Sequence, residues 1–547
     1  MSLSAEEIQV QNLDHLGIVA GIIDEIGLVE QVDALLGIHP QQKVSLGQIL
    51  KAMILNGLGF VSAPLYLFSQ FFEGKAIEHL LGKGIEAHHL NDDRLGRALD
   101  QFFEYGVTRL FTTLALSAAH KFGVQIERVH LDSRSMSVEG QYLEPQPPCD
   151  EHTEETESTR AIAITHGYSR DRRPDLKQFI IDTICSGDGD VPLYLRVADG
   201  NEVDGVGFRS VIDEYRKDWS FDGLMVADAA LYNAENLKQL GSLKWVSRVP
   251  LTLSLAQEVI AQVIPFAEWT GLALGYRLIE VCTTYAEIAQ RWVVVESDKR
   301  READLKSLEK RVEQDRQRQH RHLEKLSKEA FACEADARKA LKQFEQTLHY
   351  CQLTQGCVIQ TIHHAKRGRP KPESVPESVS FCVQATLVPN DEVIEAHRRI
   401  AGRFILATNV LDCDVLGAVE VFDEYKKQQS SERGFRFLKD PLFFTSSVFL
   451  KSPKRIMALA MVMALCLLVY TLAQRKLRQA LIEAHTGIPN QLGKLTQTPT
   501  MRWVFQCLQA IHLVVVAGTQ QITNLTPQRR KILQFLGASC GRYYLLT

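Results

Sequence analysis

Three features that would assign this chain to a specialised class are missing. No C-x-x-C pair occurs, and the eleven scattered cysteines exclude a disulfide-framed miniprotein or a zinc ribbon and are typical of reduced thiols in the cytosol. The N-terminus MSLSAEEIQVQNLDHLG has no basic segment followed by an apolar one, so no signal peptide is expected. Neither charge is in excess: 62 Lys and Arg against 66 Asp and Glu give a net charge of −4. Taken alone, that balance argues weakly against a protein with a basic nucleic-acid-binding domain.

The remaining composition is that of a folded protein with several domains. The chain has 547 residues, 45% of them hydrophobic and 23% charged, and a domain takes about 100–200 residues. Its one long apolar run, residues 456–473, is close to the shortest length that spans a membrane as a helix. Because no second such run occurs, we favour a helix buried in a large core over a membrane span.

The first 120 residues are predicted to be helical. Apolar residues recur at helical spacing in 18–32, 46–58 and 94–118, and Asn91 can cap the third helix. With Arg94 on that helix, the domain could contact DNA or could serve only for packing or dimerisation.

After residue 124 the pattern changes to short apolar runs that are typical of strands. These runs occupy 124–132, 176–184, 191–199, 223–228, 243–249 and 403–409, with helical segments at 206–216, 234–240 and 415–439. A continuous apolar run such as 223–228 suits a strand buried on both faces. This order predicts an α/β fold with a mixed sheet flanked by helices.

Residues 251–400 are predicted to interrupt this sheet as an insertion. They combine strand-like pieces with a charged helix over 298–350, in which apolar residues from Leu323 to Phe344 keep a 3-4 heptad spacing. A helical hairpin or short coiled coil and a single solvated amphipathic helix fit that spacing equally well. The predicted domains are a helical N-terminal domain (1–120), the first part of the sheet (121–250), the insertion (251–400), the second part of the sheet (401–484) and a C-terminal helical region (485–547).

One face of the predicted 415–439 helix combines an aromatic ring, an acid and two bases. At about 100° per residue, this face carries Tyr425, Glu432, Arg436 and Lys439. A solvent-facing charged stripe is the simplest interpretation. A carboxylate beside two bases and a ring would also suit a phosphodiester, with the acid on a metal ion and the bases on phosphates.

Two further acids, Asp132 and Asp228, each end a strand-like apolar run. If the two strands are neighbours, both carboxylates lie at one edge of the sheet, where open α/β sheets bind ligands. Together with Glu432 they would repel one another unless cations bind, and their hard oxygens favour Mg²⁺ or Mn²⁺. Two such ions can hold the attacking and leaving oxygens of a phosphoryl transfer. A single Asp at a strand end is more often a cap or turn residue.

Around Glu432 the sequence resembles the DDE transposases of bacterial insertion sequences, whose third acid lies in a Y-x2-R-x3-E-x6-K signature. Tyr425, Glu432 and Lys439 match this spacing, and Gln428 stands where the family has Arg. Other segments similar to the same family are HLDSRSMSVEG around Asp132, HGYSRDRRPDLKQ, DGNEVD, VADAALYNAENL and LNDDRLGRALD. The resemblance covers most of the chain, and its motifs are specific in combination.

The resemblance implies an RNase H-like catalytic core in which Asp132, Asp228 and Glu432 bind two Mg²⁺ or Mn²⁺ ions. The implied activity is DNA transposition: water cleaves DNA at the ends of the element, and the freed 3′-OH attacks target DNA. The implied partners are double-stranded DNA, both transposon ends and target, and a second copy of the chain in the synaptic complex. No membrane is implied, and the location would be the nucleoid in the bacterial cytoplasm.

Further basic residues are predicted to contact DNA. The full set of predicted contacts is Tyr425, Gln428, Arg436, Lys439, Arg367, Arg369, Arg172, Arg173 and Lys177. Arg367 and Arg369 lie in an RGRP segment that resembles an AT-hook core, which enters a narrow minor groove; a basic linker is the alternative. The cluster around Arg173 could bind phosphate, or could pair with neighbouring aspartates at the surface.

Two other functions stay open at this point. One is a structure-selective DNA nuclease on the same RNase H-like fold, without transposition. The other is a membrane-tethered or coiled-coil interaction protein, suggested by the 456–473 and 298–350 segments, which leaves Asp132, Asp228 and Glu432 unexplained.

Overall fold

The computed structural model describes residues 8–39, 41–60, 63–142, 160–168, 173–202, 221–260, 268–363, 378–438 and 450–546, with the backbone alone for 429–438. The predicted helix at 206–216 lies outside these residues. The ten cysteines within them are free thiols.

Strands occur in both halves of the chain. In chain order they are β1 (Ile8–Asn12), β2 (Arg128–Val138), β3 (Lys177–Ser186), β4 (Pro192–Ala198), β5 (Leu224–Ala227), β6 (Lys244–Val249), β7 (Thr270–Leu272), β8 (Tyr276–Tyr285), β9 (Ile288–Ser297), β10 (Cys351–His363), β11 (Ser378–Pro389), β12 (Arg403–Thr408), β13 (Ile488–Pro489), β14 (Leu495–Thr496), β15 (His512–Val516) and β16 (Thr519–Thr523).

Helices fill most of the remaining described chain. They span Leu16–Ile26, Leu28–Leu36, Leu46–Leu58, Phe68–Phe71, Ile77–Leu81, Asp92–Tyr105, Val107–Lys121, Ala234–Leu240, Ser254–Glu258, Asp298–Lys328, Glu334–Gln346, Asp391–Ile400, Ala418–Leu438, Pro453–Glu483, Met501–Cys507, Pro527–Leu536 and Ala538–Gly541.

The chain divides into two compact units. Unit 1 comprises Met1–Ser247, Thr284–Ala289 and Thr408–Thr547, and unit 2 comprises Arg248–Thr283 and Gln290–Ala407. Unit 1 therefore contains the N-terminal helices together with the strands that bear the predicted acids.

The sheet of unit 1 is mixed, with the strand order β4-β3-β2-β5-β6. β3 pairs antiparallel with β2 and β4, whereas β5 runs parallel to β2 and β6. Helices cover this sheet: Val107–Lys121 and Pro453–Glu483 pack on β4, and Ala418–Leu438 packs on β2 and β5. This covering explains why β3, β4 and β5 are almost fully buried, as continuous apolar runs require. The predicted mixed α/β sheet flanked by helices is confirmed.

The N-terminal helices are shorter than the apolar periodicity predicted. The run over 18–32 is divided at Gly27, and the run over 94–118 at Gly106, both of which have positive φ angles of 75° and 99°. Glycine adopts this left-handed region without a steric cost, so each glycine turns the chain between two helices. The predicted cap is present, because the Asn91 side chain accepts a hydrogen bond from the Arg94 N–H at 2.9 Å.

The long apolar helix is Pro453–Glu483, and it packs against the N-terminal helices of unit 1. Within the described residues it is long and apolar enough to cross a membrane, but 94% of its most apolar window is buried inside the protein. This burial agrees with a core helix. Its only deeply buried cation, Arg475, donates to the Asp188 carboxylate at 2.6 Å and to two backbone carbonyls.

The two helical predictions at the chain ends are correct only in part, because both segments also contain strands. Residues 1–120 include a strand, β1, and 485–547 include β13 to β16, so neither segment is wholly helical. β1 pairs with β15, which forms a hairpin with β16. The hairpin turn at Ala517 and Gly518 has positive φ at both residues (46° and 81°), the geometry that favours two-residue hairpin loops.

Unit 2 contains the strands β7, β8, β9 and β12, ordered β12-β9-β8-β7, and a separate antiparallel ribbon of β10 and β11. The apolar residues of the predicted heptad pack on this ribbon, since Leu323, Leu326 and Phe344 share a buried cluster with Val383 of β11. Residues of two helices therefore share this cluster, as a helical hairpin predicts, and the cluster also includes the ribbon, which a coiled coil of the helices alone does not predict.

The charged segment over 298–350 agrees with the helical-hairpin alternative and not with the single amphipathic helix. It is two helices, Asp298–Lys328 and Glu334–Gln346. The chain leaves the helix because the backbone of Phe331 exchanges two hydrogen bonds with Phe381 of β11, at 2.8 and 2.9 Å. The second helix restarts at Cys333, whose side chain accepts from the Asp336 N–H.

Candidate active site

Two of the predicted acids lie on adjacent parallel strands. Leu131 of β2 is in register with Ala227 of β5, so the residues that follow, Asp132 and Asp228, stand side by side. Neighbouring strands are about 4.8 Å apart, and equivalent positions of a parallel pair point to the same face. Asp132 is 6% exposed. The register therefore places the two acids at neighbouring positions, and this acidic pair combines a buried Asp132 with a partly exposed Asp228.

The location of Asp132 within its strand differs from the prediction. The expectation that its strand ends on Asp132 is wrong, because β2 continues to Val138. It continues because β3 pairs with it throughout, with Asp132 opposite Thr183 and Val138 opposite Lys177. Asp228 does follow directly after the last residue of β5.

Local hydrogen bonds orient both acids. The Arg134 Nε donates to Asp132 at 3.3 Å. The Asp228 carboxylate accepts the Ala230 N–H at 2.9 Å, an Asx-turn contact, while its backbone carbonyl accepts from the Ser247 hydroxyl at 2.8 Å. The side chain of Asp228 is therefore held by its own loop rather than left to rotate.

The helix Ala418–Leu438 is attached to β2 by a buried ion pair. Glu424, only 1% exposed, accepts hydrogen bonds from Arg128 at the start of β2 and from Lys427 at 2.8 Å. Burial would raise the pKa of Glu424, but the hydrogen bonds from Lys427 and Arg128 hold that pKa below its ordinary value. Glu424 thus stays charged at neutral pH and fixes the helix on the strand.

A second contact follows one turn later along the helix. The Gln428 amide donates to the carbonyl of Leu131 at 3.4 Å, next to Asp132 in the chain. Gln428 is 6% exposed, so here it contacts the strand backbone. Tyr425, on the same helix, is half-buried.

The third predicted acid lies further along this helix. Glu432 belongs to the helix one turn after Gln428, and Arg436 follows it by another turn. The side chains of both lie outside the described residues, and Lys439 lies outside them entirely. The three-acid arrangement therefore remains a prediction for its third member.

The metal prediction is likewise open. Among the described side chains, no group of three or more His, Cys, Asp or Glu residues could hold a metal ion. Asp132 and Asp228 supply the oxygen ligands that Mg²⁺ and Mn²⁺ prefer, and the Glu432 carboxylate lies outside the described side chains. These two carboxylates suit such an ion and do not by themselves complete its coordination.

Of the other predicted DNA contacts, the structure describes Arg173 and Lys177. Arg173 forms a surface ion pair with Asp175, with Nε and Oδ1 2.9 Å apart, and the Lys177 ammonium donates to the Tyr142 carbonyl. Arg172, Arg367 and Arg369 lie outside the described residues.

Sequence reasoning missed the residues beside the acids on β2. Arg128, His130 and Asp132 alternate along the strand and therefore share one face. Within the described chain, neither ring nitrogen of His130 has a hydrogen-bond partner, and burial lowers the pKa of this histidine to about 4. The signal available in the sequence was the polar alternation R-x-H-x-D-x-R, which begins at Arg128.

An open cleft of about 470 Å³ lies at the start of β2. Its lining includes Arg128, Glu424, Lys427 and Asp188, and neither Asp132 nor Asp228. Because its lining mixes both charges and its cations already pair with acids, the cleft borders the helix attachment and is separate from the acidic pair.

Comparison with known families gives one match. Residues 8–116 match the family described as a domain of unknown function (DUF4277). No curated protein matches the chain. The matched segment covers the N-terminal helices and ends before β2.

Proposed function

We propose that this protein is a DDE-type DNA transposase, which cleaves DNA at the ends of an insertion sequence and joins the freed 3′ ends to target DNA. The observation that carries the proposal is the register between Leu131 and Ala227, which sets Asp132 beside Asp228 on two strands that also pack against the Glu432 helix. Two neighbouring carboxylates repel one another, so a bound cation would stabilise this arrangement beyond what the Arg134 contact to Asp132 provides.

Two coarser observations support the same function. A mixed sheet with helices packed on it is the architecture that an RNase H-like core requires. The domain matched at residues 8–116 is found in transposase-like proteins. Both are compatible with the family resemblance of the Tyr425 to Lys439 segment.

The helix contacts support Glu432 as the third acid. Glu424 meets Arg128, and Gln428 meets Leu131, so successive turns of the helix move along β2 toward Asp132. Four residues advance a helix by about 6 Å. The next position in this series is Glu432, which continues toward the acidic pair.

In this proposal the three carboxylates hold the metal ions, and the surrounding residues orient them. Bound Mg²⁺ or Mn²⁺ would polarise the phosphodiester and activate the attacking oxygen. Arg134 and the Ala230 N–H fix the carboxylates of Asp132 and Asp228, so little reorganisation is needed on binding. Glu424 and Gln428 hold the helix that brings the third acid.

The test uses the full chain and duplex DNA from the two flanks of its gene. Cleavage and strand transfer are measured with Mg²⁺ for the wild type, Asp228→Asn, Glu432→Gln and a matched control, Asp423→Asn. Asp423 is an exposed acid on the same helix. We expect both site variants to lose cleavage while retaining DNA binding, and the control to keep both.

Wild-type levels of cleavage by either site variant would refute the proposal. Cleavage by the wild type without strand transfer on its own ends would replace it with a structure-selective nuclease.

A further inference from the structure

A group of arginines in unit 2 surrounds a single buried carboxylate. Glu296, at 1% exposure, pairs with Arg277, Arg301 and Arg403, with Nε–Oε distances of 3.0 Å for Arg277 and 2.6 Å for Arg403. Burial would raise the pKa of Glu296, but hydrogen bonds from Arg403 and Arg277 hold it below its ordinary value, so the carboxylate is charged. One acid therefore faces three permanent cations.

The same place is the N-terminus of the 31-residue helix Asp298–Lys328. Its first turn carries Lys299, Arg300 and Arg301, although cations are unfavourable beside the positive end of a helix dipole. Two acids offset only part of the positive charge of these three residues. They are Asp298 and Asp304, whose carboxylate lies 3.6 Å from the Arg300 Nε.

Free backbone N–H groups at a helix start also attract anions. Five cations thus share this patch with three carboxylates, and an added anion would be stabilised there.

Aromatic rings hold the guanidinium groups in place. The centre of the Trp269 ring lies 5.0 Å from the Cζ atom of Arg277 and 5.5 Å from that of Arg403. The centre of the Phe404 ring lies 5.8 Å from the Cζ atom of Arg300. Arginines held against a ring lose less side-chain entropy on binding, because their positions are already restricted. Arg277 and Arg301 nevertheless remain 41% and 46% exposed.

We propose that this arginine patch (Arg277, Lys299, Arg300, Arg301 and Arg403) binds the sugar-phosphate backbone of double-stranded DNA. The inference rests on the proposed function in taking DNA as the substrate, and it adds a contact surface that the signature helix does not include. Arginine donates to phosphate oxygens in a bidentate manner, and a duplex offers one negative charge per about 1.7 Å of its axis.

The aromatic contacts favour a duplex over a single strand. Proteins that bind single strands offer free ring faces on which bases stack. Here Trp269 has a guanidinium from Arg277 and another from Arg403 over its ring, and Phe404 has one from Arg248 and one from Arg300. The patch therefore presents cations rather than stacking surfaces.

The experiment measures binding of a fluorescent random-sequence duplex to the full-length protein in EDTA, across a series of NaCl concentrations. Arg300→Gln/Arg301→Gln is compared with Arg316→Gln/Arg318→Gln, which removes two cations from the middle of the same helix. Each lost phosphate contact lowers the slope of log affinity against log salt by about 0.9. We expect the patch variant to lose about 2 from this slope and on the order of tenfold or more in affinity at low salt, with no change for the control.

A second variant guards against misfolding. Lys299→Gln/Arg300→Gln leaves the Arg301–Glu296 pair intact, and thermal unfolding of each variant is recorded alongside binding. The Lys299→Gln/Arg300→Gln variant should show the same decrease in the slope of log affinity against log salt.

Equal effects of the patch and control variants, or no effect of either patch variant, would overturn the inference. A larger effect of the patch variants on single-stranded DNA or duplex RNA would overturn the choice of partner.

The proposed function fails separately if Asp228→Asn cleaves DNA as well as the wild type does, whatever the patch variants do. A wild type that binds no duplex DNA would end both proposals.

Discussion

The acidic pair of unit 1 and the arginine patch of unit 2 each concentrate charge of one sign, negative in the first and positive in the second. In unit 1, Asp132 and Asp228 lie side by side in the sheet, with Arg134 donating to Asp132. In unit 2, three arginines share the one carboxylate of Glu296. We propose that each arrangement binds a ligand of the opposite sign, a metal cation in the first place and a phosphate anion in the second.

The difference separates two roles on one substrate. Carboxylates that bind ions act at the reacting phosphate, and their loss should affect chemistry. Arginines that bind the backbone contribute affinity that depends on salt but not on sequence. Variants at the two places should therefore fail in different ways.

The largest expected effect comes from Asp132→Asn. It should lower single-turnover cleavage at saturating protein by several orders of magnitude, because a metal ligand is lost, while DNA affinity stays equal or rises as a negative charge is removed. The Arg300→Gln/Arg301→Gln variant should do the reverse, with weaker binding and a normal rate once DNA is bound. If both variants lost rate and affinity together, the separation of roles would be wrong.

A smaller effect concerns pH and His130. Burial lowers the pKa of His130 to about 4 in the folded protein, against 6.5 when the ring is exposed. Between these pH values the unfolded chain binds a proton at His130 and the folded chain does not. Its stability contribution is therefore complete above about pH 6.5 and is lost as pH falls toward 4, on the order of 3 kcal/mol.

Urea unfolding of the wild type and of His130→Gln between pH 4 and 7 measures this effect. The variant should lose less stability on acidification. Part of the decline should persist, because burial lowers the pKa of His15 to about 4 as well. Parallel curves for the two proteins would contradict the account.

The smallest expected effect tests the attachment of the Glu432 helix. Glu424→Ala leaves Arg128 without its buried partner and should lower the free energy of unfolding by about 2 kcal/mol, discounted because Arg128 is 42% exposed. Glu420→Ala is the matched control on the same helix, since that half-exposed acid lies 3.9 Å from Arg128. Similar losses in both variants, measured by urea unfolding, would show that burial of Glu424 is unimportant.

The sequence predicts the sheet well where the signal is local. Apolar runs marked β3, β4, β5 and β6 because these strands are buried on both faces. The sequence could not show that β2 continues past Asp132, because this extension depends on pairing with β3, about 50 residues later in the chain. For the same reason the break near Phe331, which depends on Phe381, was not predictable from helical periodicity.

The sites differ in the same way. Asp132 and Asp228 were found because each follows or lies within an apolar run, and the signature around Glu432 is contiguous. The arginine patch could not be predicted from the sequence. Its residues Arg277, Arg301 and Arg403 come from three separated segments, which only the fold brings to Glu296. No sequence pattern marks Glu424, because its burial depends on the position of Arg128.

Titration of Mn²⁺ into the full-length protein, with bound metal measured by electron paramagnetic resonance, shows whether Asp132 and Asp228 act together as a cation site. We expect saturable binding by the wild type and by Asp423→Asn, and its loss in both Asp132→Asn and Asp228→Asn. Undiminished Mn²⁺ binding by either site variant, with the folded structure retained, would contradict this expectation.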